Sequence, residues 1–87
     1  MPNFFLSIIT PKGKVYEGET ESLIAPGSEG SFGVLKGHTP IVAQLKEGAL
    51  TLSKGAEKTK FKTAAGVLEV SQKGDVLVLV NSAERSD

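Results

Sequence analysis

Ten glycines, at positions 13, 18, 27, 30, 33, 37, 48, 55, 66 and 74, divide the 87-residue chain into pieces mostly too short for an ordinary helix. Glycine weakens a helix interior and marks turns. The pieces between the glycines are rich in Val, Ile, Leu, Thr and Phe, and several alternate apolar with polar residues. Short alternating runs at regular spacing read as strands of a sandwich or barrel. The expected class is all-β, a sandwich or a barrel, forming one domain over residues 1–87.

In Phe4-Phe5-Leu6-Ser7-Ile8-Ile9, period two puts Phe4, Leu6 and Ile8 on one face. A turn at Lys12-Gly13-Lys14 leads to Val15-Tyr16, and Glu21–Ala25 is the next strand, expected to stop at Pro26-Gly27. Ile41–Leu45 precedes a hairpin-like Lys46-Glu47-Gly48, after which Ala49–Ser53 directs Leu50 and Leu52 inward. Across Lys54-Gly55-Ala56, the run Lys58–Thr63 alternates most cleanly: Lys58, Lys60 and Lys62 share one face and Phe61 takes the other. Gly66–Val70 and Val76–Val80 follow, with a turn at Gln72–Asp75 between them. Val76–Val80 is apolar on both faces, so its outer face is expected to be covered by the second sheet, by a loop or by another protein, with core of the sandwich the favoured reading. Ser82 has the character of a helix N-cap, with little chain after it.

Composition narrows the chemistry. Without cysteine there is no disulfide framework, thiolate zinc site or thiol nucleophile. No apolar run approaches the ~20 residues of a membrane helix, and the start has no basic leader of the secretory kind. Ten basic residues balance ten acidic ones, which disfavours a nucleic-acid binder. The charges are nevertheless segregated. Glu17, Glu19, Glu21 and Glu29 form an acidic stretch, whereas Lys54, Lys58, Lys60 and Lys62 crowd a later hairpin. Such a distribution suits either two docking surfaces of opposite sign or ordinary solvated strand faces.

No catalytic constellation emerges. His38, the one histidine, follows Gly37 and precedes Thr39-Pro40 in a tight loop; a lone loop histidine is more often a structural hydrogen-bonder than a catalyst or ligand. Asp75 and Asp87 are the only aspartates, and neither sits in a nucleophile-elbow context. The glycine-rich Ala25–Val34 lacks the terminal Lys-Ser/Thr of a phosphate loop and carries Glu29, which repels phosphate. It remains either a long hairpin or a loop that presents Ser28, Glu29 and Ser31 to a partner. No metal or cofactor is expected.

The run Ala25-Pro26-Gly27-Ser28-Glu29-Gly30-Ser31-Phe32-Gly33-Val34-Leu35-Lys36-Gly37-His38-Thr39-Pro40 closely resembles the signature of the epsilon subunit of F-type rotary ATP synthase. Ile8-Ile9-Thr10-Pro11, Val15-Tyr16-Glu17-Gly18, Gly66-Val67-Leu68-Glu69-Val70 and Val78–Arg85 resemble further family stretches in the same order, although Ala65 stands where the family has a glycine. The resemblance spans essentially the whole chain. It implies a flattened β-sandwich of about ten short antiparallel strands. It also implies a non-catalytic rotor subunit of the central stalk, bound to the gamma subunit and resting on the membrane c-ring, and so coupling proton transport to ATP synthesis. Such a subunit associates with the membrane only through the complex. Its place would be the cytoplasmic face of the bacterial inner membrane or, alternatively, the stromal side of the thylakoid.

In the family the glycine-rich loop faces polar loops of the c-ring, which typically carry an arginine. By resemblance Ser28, Glu29, Gly30 and Ser31 are ring-contact candidates, with Glu29 the main carboxylate because Ser31 replaces a frequent acidic residue. The positions of Thr10, His38 and Ala43 are implied gamma-subunit contacts. The family's C-terminal helical hairpin is missing from these 87 residues, so hairpin-borne inhibition and ATP sensing are not expected of this chain. The competing reading, a free β-sandwich module binding a sugar or peptide, calls for exposed aromatics or a polar cleft. The chain has one Tyr, four Phe and no Trp.

Overall fold

A computed structural model describes residues 2–86. Its strands are β1 (Phe4–Thr10), β2 (Gly13–Thr20), β3 (Ser22–Gly27), β4 (Gly30–Leu35), β5 (Ile41–Leu45), β6 (Gly48–Lys54), β7 (Glu57–Thr63), β8 (Gly66–Val70), β9 (Val76–Val80) and β10 (Ala83–Arg85). No helix occurs among the described residues. Hydrogen bonding runs β10-β7-β6-β3-β5-β8-β9-β1-β2, with β4 added to the free side of β3. The order folds into two layers, β4-β3-β6-β7-β10 and β5-β8-β9-β1-β2, joined where Gly27 pairs with Leu45. An edge-to-face contact between Tyr16 on β2 and Phe61 on β7, centroids 6.0 Å apart, ties the layers on the far side.

The layers enclose one apolar cluster built by alternation. Phe4, Leu6 and Ile8 point inward from β1, Leu50 and Leu52 from β6, Phe61 from β7, and Leu68 and Val70 from β8. All of these are buried, whereas Lys58, Lys60 and Lys62 are exposed. The expected sandwich is therefore present, with one pair of strands differing in direction. β1 runs parallel to β9, Leu6 opposite Val76 and Ile8 opposite Val78. A parallel neighbour requires a long crossover, and here everything from β2 to β8 lies between the two strands.

Three local expectations are corrected. Pro26-Gly27 does not end a strand, because β3 continues through both residues. Proline fits there because position 26 needs no N–H. Its carbonyl accepts from Lys46 N at 2.9 Å, and Ser28 N donates to Gln44 O at 2.9 Å. Even-numbered positions of β3 thus face β5 and β6, and odd-numbered positions face β4. Second, Lys46-Glu47 is no hairpin: β5 pairs with β8, and β6 pairs with β3 and β7. Leu45–Gly48 is the corner at which the chain passes from one layer to the other, as sandwich strands do at bends. Third, Ser82 caps no helix; β10 follows and pairs antiparallel with β7, Ala83 opposite Thr63.

The outer face of β9 also departs from expectation. Val76, Val78 and Val80 belong to the core, but Leu77 is only half-buried and Leu79 is 42% exposed. Among the described residues no strand lies over this face.

Candidate functional site

The turn joining β3 to β4 consists of Ser28 and Glu29, both exposed. Gly27 and Gly30 close it as a pair. Gly30 has φ +128°, in the region that favours glycine. Gly27 is required by proximity instead: a Cβ there would lie 2.6 Å from Gly30 O and 2.8 Å from Phe32 Cδ1. The glycines thus hold a tight turn that projects the Ser28 hydroxyl and Glu29 carboxylate from one end of the sandwich. Beneath the turn is an open recess of about 530 Å³ lined by residues 27–32 with Ala43 and Gln44.

Ala43 is therefore brought against the Ser28–Ser31 turn. Thr10 lies at the same end, one step past the Ile9–Leu79 rung, in a separate recess with Pro11, Ala65 and Asn81. Its hydroxyl donates to Gly13 O and accepts from Lys12 N, both at 3.2 Å, and so is engaged in its own turn. His38 lies at the opposite end of β5. Its ring Nδ1 is 2.8 Å from Thr39 O, and its backbone N–H donates to Leu35 O. The hollow around it is bordered by Phe5, Glu19 and the Gln72–Asp75 turn. The candidates Thr10, His38 and Ala43 thus do not form one cluster.

Between these ends lies a surface that the sequence reading touched only through Val76–Val80, where core was favoured over a partner-facing side. On the outer side of the β5-β8-β9-β1-β2 layer, one rung reads Gln44–Val67–Leu79–Ile9–Lys14 and the next Val42–Glu69–Leu77–Ser7–Glu17. Val42 is 72% exposed, and Phe5 and Leu79 are exposed beside half-buried Ile9, Val67 and Leu77. The result is an apolar strip of Val67, Leu79, Ile9 and Leu77, bounded by Gln44 and Lys14, with Glu69 standing between it and Val42 and Ser7 between it and Phe5. A contiguous apolar patch with a polar rim marks an interaction surface. The doubly apolar pattern of β9 was one clue to it, and the paired Phe4-Phe5 and Ile8-Ile9 of β1 were a second.

Among the described residues no group of three or more His, Cys, Asp or Glu is arranged to hold a metal. On the surface of β2, Lys14 and Glu17 form an ion pair at 2.8 Å.

Comparison with known proteins gives a consistent result. An ATP synthase epsilon chain of Rhodopseudomonas palustris is 40% identical over 74 residues, covering 85% of this chain and 55% of the relative. That of Nitrobacter winogradskyi is 35% identical over 91 residues, covering 99% of this chain and 67% of the relative. The chain thus spans little more than half the length of the first of these relatives. A chain from the Euglena gracilis mitochondrial ATP synthase, solved as an OSCP/F1/c-ring assembly, superposes with a TM-score of 0.90 at 24% identity, over 98% of this chain and 55% of its own. One from the Tetrahymena thermophila mitochondrial ATP synthase central stalk and c-ring gives 0.81 at 16% identity, over 95% and 66%. These two likenesses establish the fold. Residues 3–86 match the family described as ATP synthase, delta/epsilon chain, β-sandwich domain, and the chain belongs to that family.

Proposed function

We propose that the protein is a non-catalytic coupling piece of a rotary ATP synthase, held between the gamma subunit of the central stalk and the membrane c-ring. The observation that carries this reading is the pairing of two chemically different surfaces on one sandwich. An acidic glycine-framed turn stands at one end, and an apolar strip lies along an adjacent face. Family membership supplies the context, since the relatives are ATP synthase epsilon chains.

In this reading Ser28, Glu29, Gly30 and Ser31 meet the polar loops of the ring. Glu29 supplies a carboxylate to a loop arginine, an exposed pair contributing ~1 kcal/mol or less. The strip of Val67, Leu79, Ile9 and Leu77 packs on gamma, with Thr10 near one margin of that contact and His38 near the other. Ala43, beside the acidic turn, serves the corner where the two contacts meet. Burial of such a strip contributes roughly 25 cal/mol per Å² before the costs of association. The work is mechanical: the rungs of the two layers resist shear, so rotation of the ring passes to gamma without being absorbed by deformation. The protein then resides with the complex at the membrane, on the side where the stalk projects.

The test is a reconstituted enzyme in vesicles carrying Glu29→Lys. The expected result is fewer ions pumped per ATP hydrolysed, with the folded spectrum and melting temperature of the free protein unchanged. Unaltered coupling, or an unfolded variant, contradicts the role given to the turn.

A further inference from the structure

The sandwich has several open strand edges, and two of them are defended. β2 carries Lys14, Glu17 and Glu19, and β10 is three residues long and contains Glu84 and Arg85. Charges and shortness are the usual protections against edge pairing. β4 has neither. Its six residues, Gly30-Ser31-Phe32-Gly33-Val34-Leu35, include no charge and no proline, and the ladder to β3 runs without a bulge.

The free hydrogen-bonding groups of β4 follow from the register. Odd-numbered positions of β3 face β4, so Leu23, Ala25 and Gly27 bond to their partners Val34, Phe32 and Gly30. Ser31, Gly33 and Leu35 therefore turn their N–H and C=O groups away from β3. Apart from Leu35 O, which accepts from His38 N, these groups meet no strand of the chain. Ser31, Gly33 and Leu35 are all exposed, and Leu35 and Ile24 leave apolar surface beside them.

We propose that β4 pairs antiparallel with β4 of a second copy of this chain, extending the β4-β3-β6-β7-β10 layer across a twofold axis at Gly33. The strand is self-complementary. A closed twofold requires a residue to face its own copy, and Gly33 is the central residue whose bonding groups point outward. Gly33 facing Gly33 places Ser31 opposite Leu35 of the other copy and sets half-buried Phe32 beside Val34. Lys36 then stands level with Gly30 of the other copy and next to its Glu29. Neither Glu29 nor Lys36 has an ion pair within its own chain among the described residues, so the arrangement juxtaposes opposite charges at both ends of the joint. The contact is small, of the weak, transient class. It occupies the turn assigned above to the ring, so the pair belongs to the free chain and not to the assembled one.

Sedimentation equilibrium on the whole chain, from micromolar to millimolar concentration, should show mass rising from 9.1 kDa toward twice that value. Gly33→Lys sets like charges face to face on the axis and should weaken association roughly tenfold or more. Space permits it, because a Cβ at Gly33 would meet nothing closer than Leu23 O at 3.9 Å. Lys36→Glu should weaken association as well, and Glu29→Lys combined with Lys36→Glu should restore it. The chain has no cysteine, so Gly33→Cys provides a unique thiol that should oxidise to a linked dimer faster than Val15→Cys on β2. A chain monomeric at millimolar concentration overturns the proposal. So does a dimer insensitive to Gly33→Lys and Lys36→Glu, or one whose Gly33→Cys thiols do not link, since either places the joint elsewhere.

Discussion

Gly66 shows how a single side chain is decided by its neighbours across the ladder. It sits opposite Val80, and a Cβ at this position would press on Leu79 O and lie 2.8 Å from both Val80 Cα and Cγ1. Those are mostly backbone atoms within a central ladder and have little freedom to retreat. Gly66→Ala should therefore destabilise by about 3 kcal/mol or more, as overpacking at a rigid site does. Thermal denaturation reads this as a fall in Tm, and a shift of only a degree or two would contradict the close approach. Leu68, two residues on and fully buried, tests the opposite defect. Leu68→Ala should cost about 2–5 kcal/mol through lost burial and the cavity left behind. Both effects belong to the core and should appear in chemical denaturation of the isolated chain.

At the scale of elements, the β2–β3 junction is fastened to β6 by one buried hydroxyl. Thr20 Oγ1 lies 2.9 Å from Ser53 O and 3.1 Å from Ser22 O, and Glu21 N also donates to Ser53 O. The isosteric Thr20→Val should cost about 1 kcal/mol, the net value of a hydrogen bond at a partly buried site. In a domain of this size that is a fall of roughly 4–8 °C in Tm. An unchanged Tm would mean that the hydroxyl does not hold the junction. Elements whose residues alternate strictly were legible in the sequence. β7, with lysine at every second place around Phe61, and β1, with Phe4, Leu6 and Ile8 inward, lie as their period requires. Elements settled by partners were not. Pro26 looks like a stop until its edge of β3 is seen to need a carbonyl and no N–H. The Lys46-Glu47 corner resembles a hairpin because sequence shows that a chain bends without showing which strand it meets next. The parallel pairing of β1 with β9 is a similar case, being set by closure of the whole sandwich.

Over the whole molecule, 29 × 26 × 24 Å, different chemistries end up on different faces and ends. The acidic turn was legible because its glycines, serines and glutamate are contiguous. The apolar strip was not, because Ile9, Val67, Leu77 and Leu79 come from three strands and meet only in the folded layer. Thr10 and His38, far apart in sequence, lie near the two ends of the same layer, so a partner seated on the strip is flanked by both. Leu79 is near the middle of the strip, on β9 between Val67 and Ile9. At 42% exposure it can become a carboxylate that remains solvated in the free chain, so Leu79→Glu should leave the fold and Tm nearly unchanged. The most direct measurement is calorimetric titration of the chain, and of Leu79→Glu, into the gamma subunit of the same organism. The account predicts a complex with the unaltered chain and at least roughly tenfold weaker binding for Leu79→Glu, whose buried charge would face an apolar partner. No complex at micromolar concentration, or equal affinity for the two proteins, would contradict it.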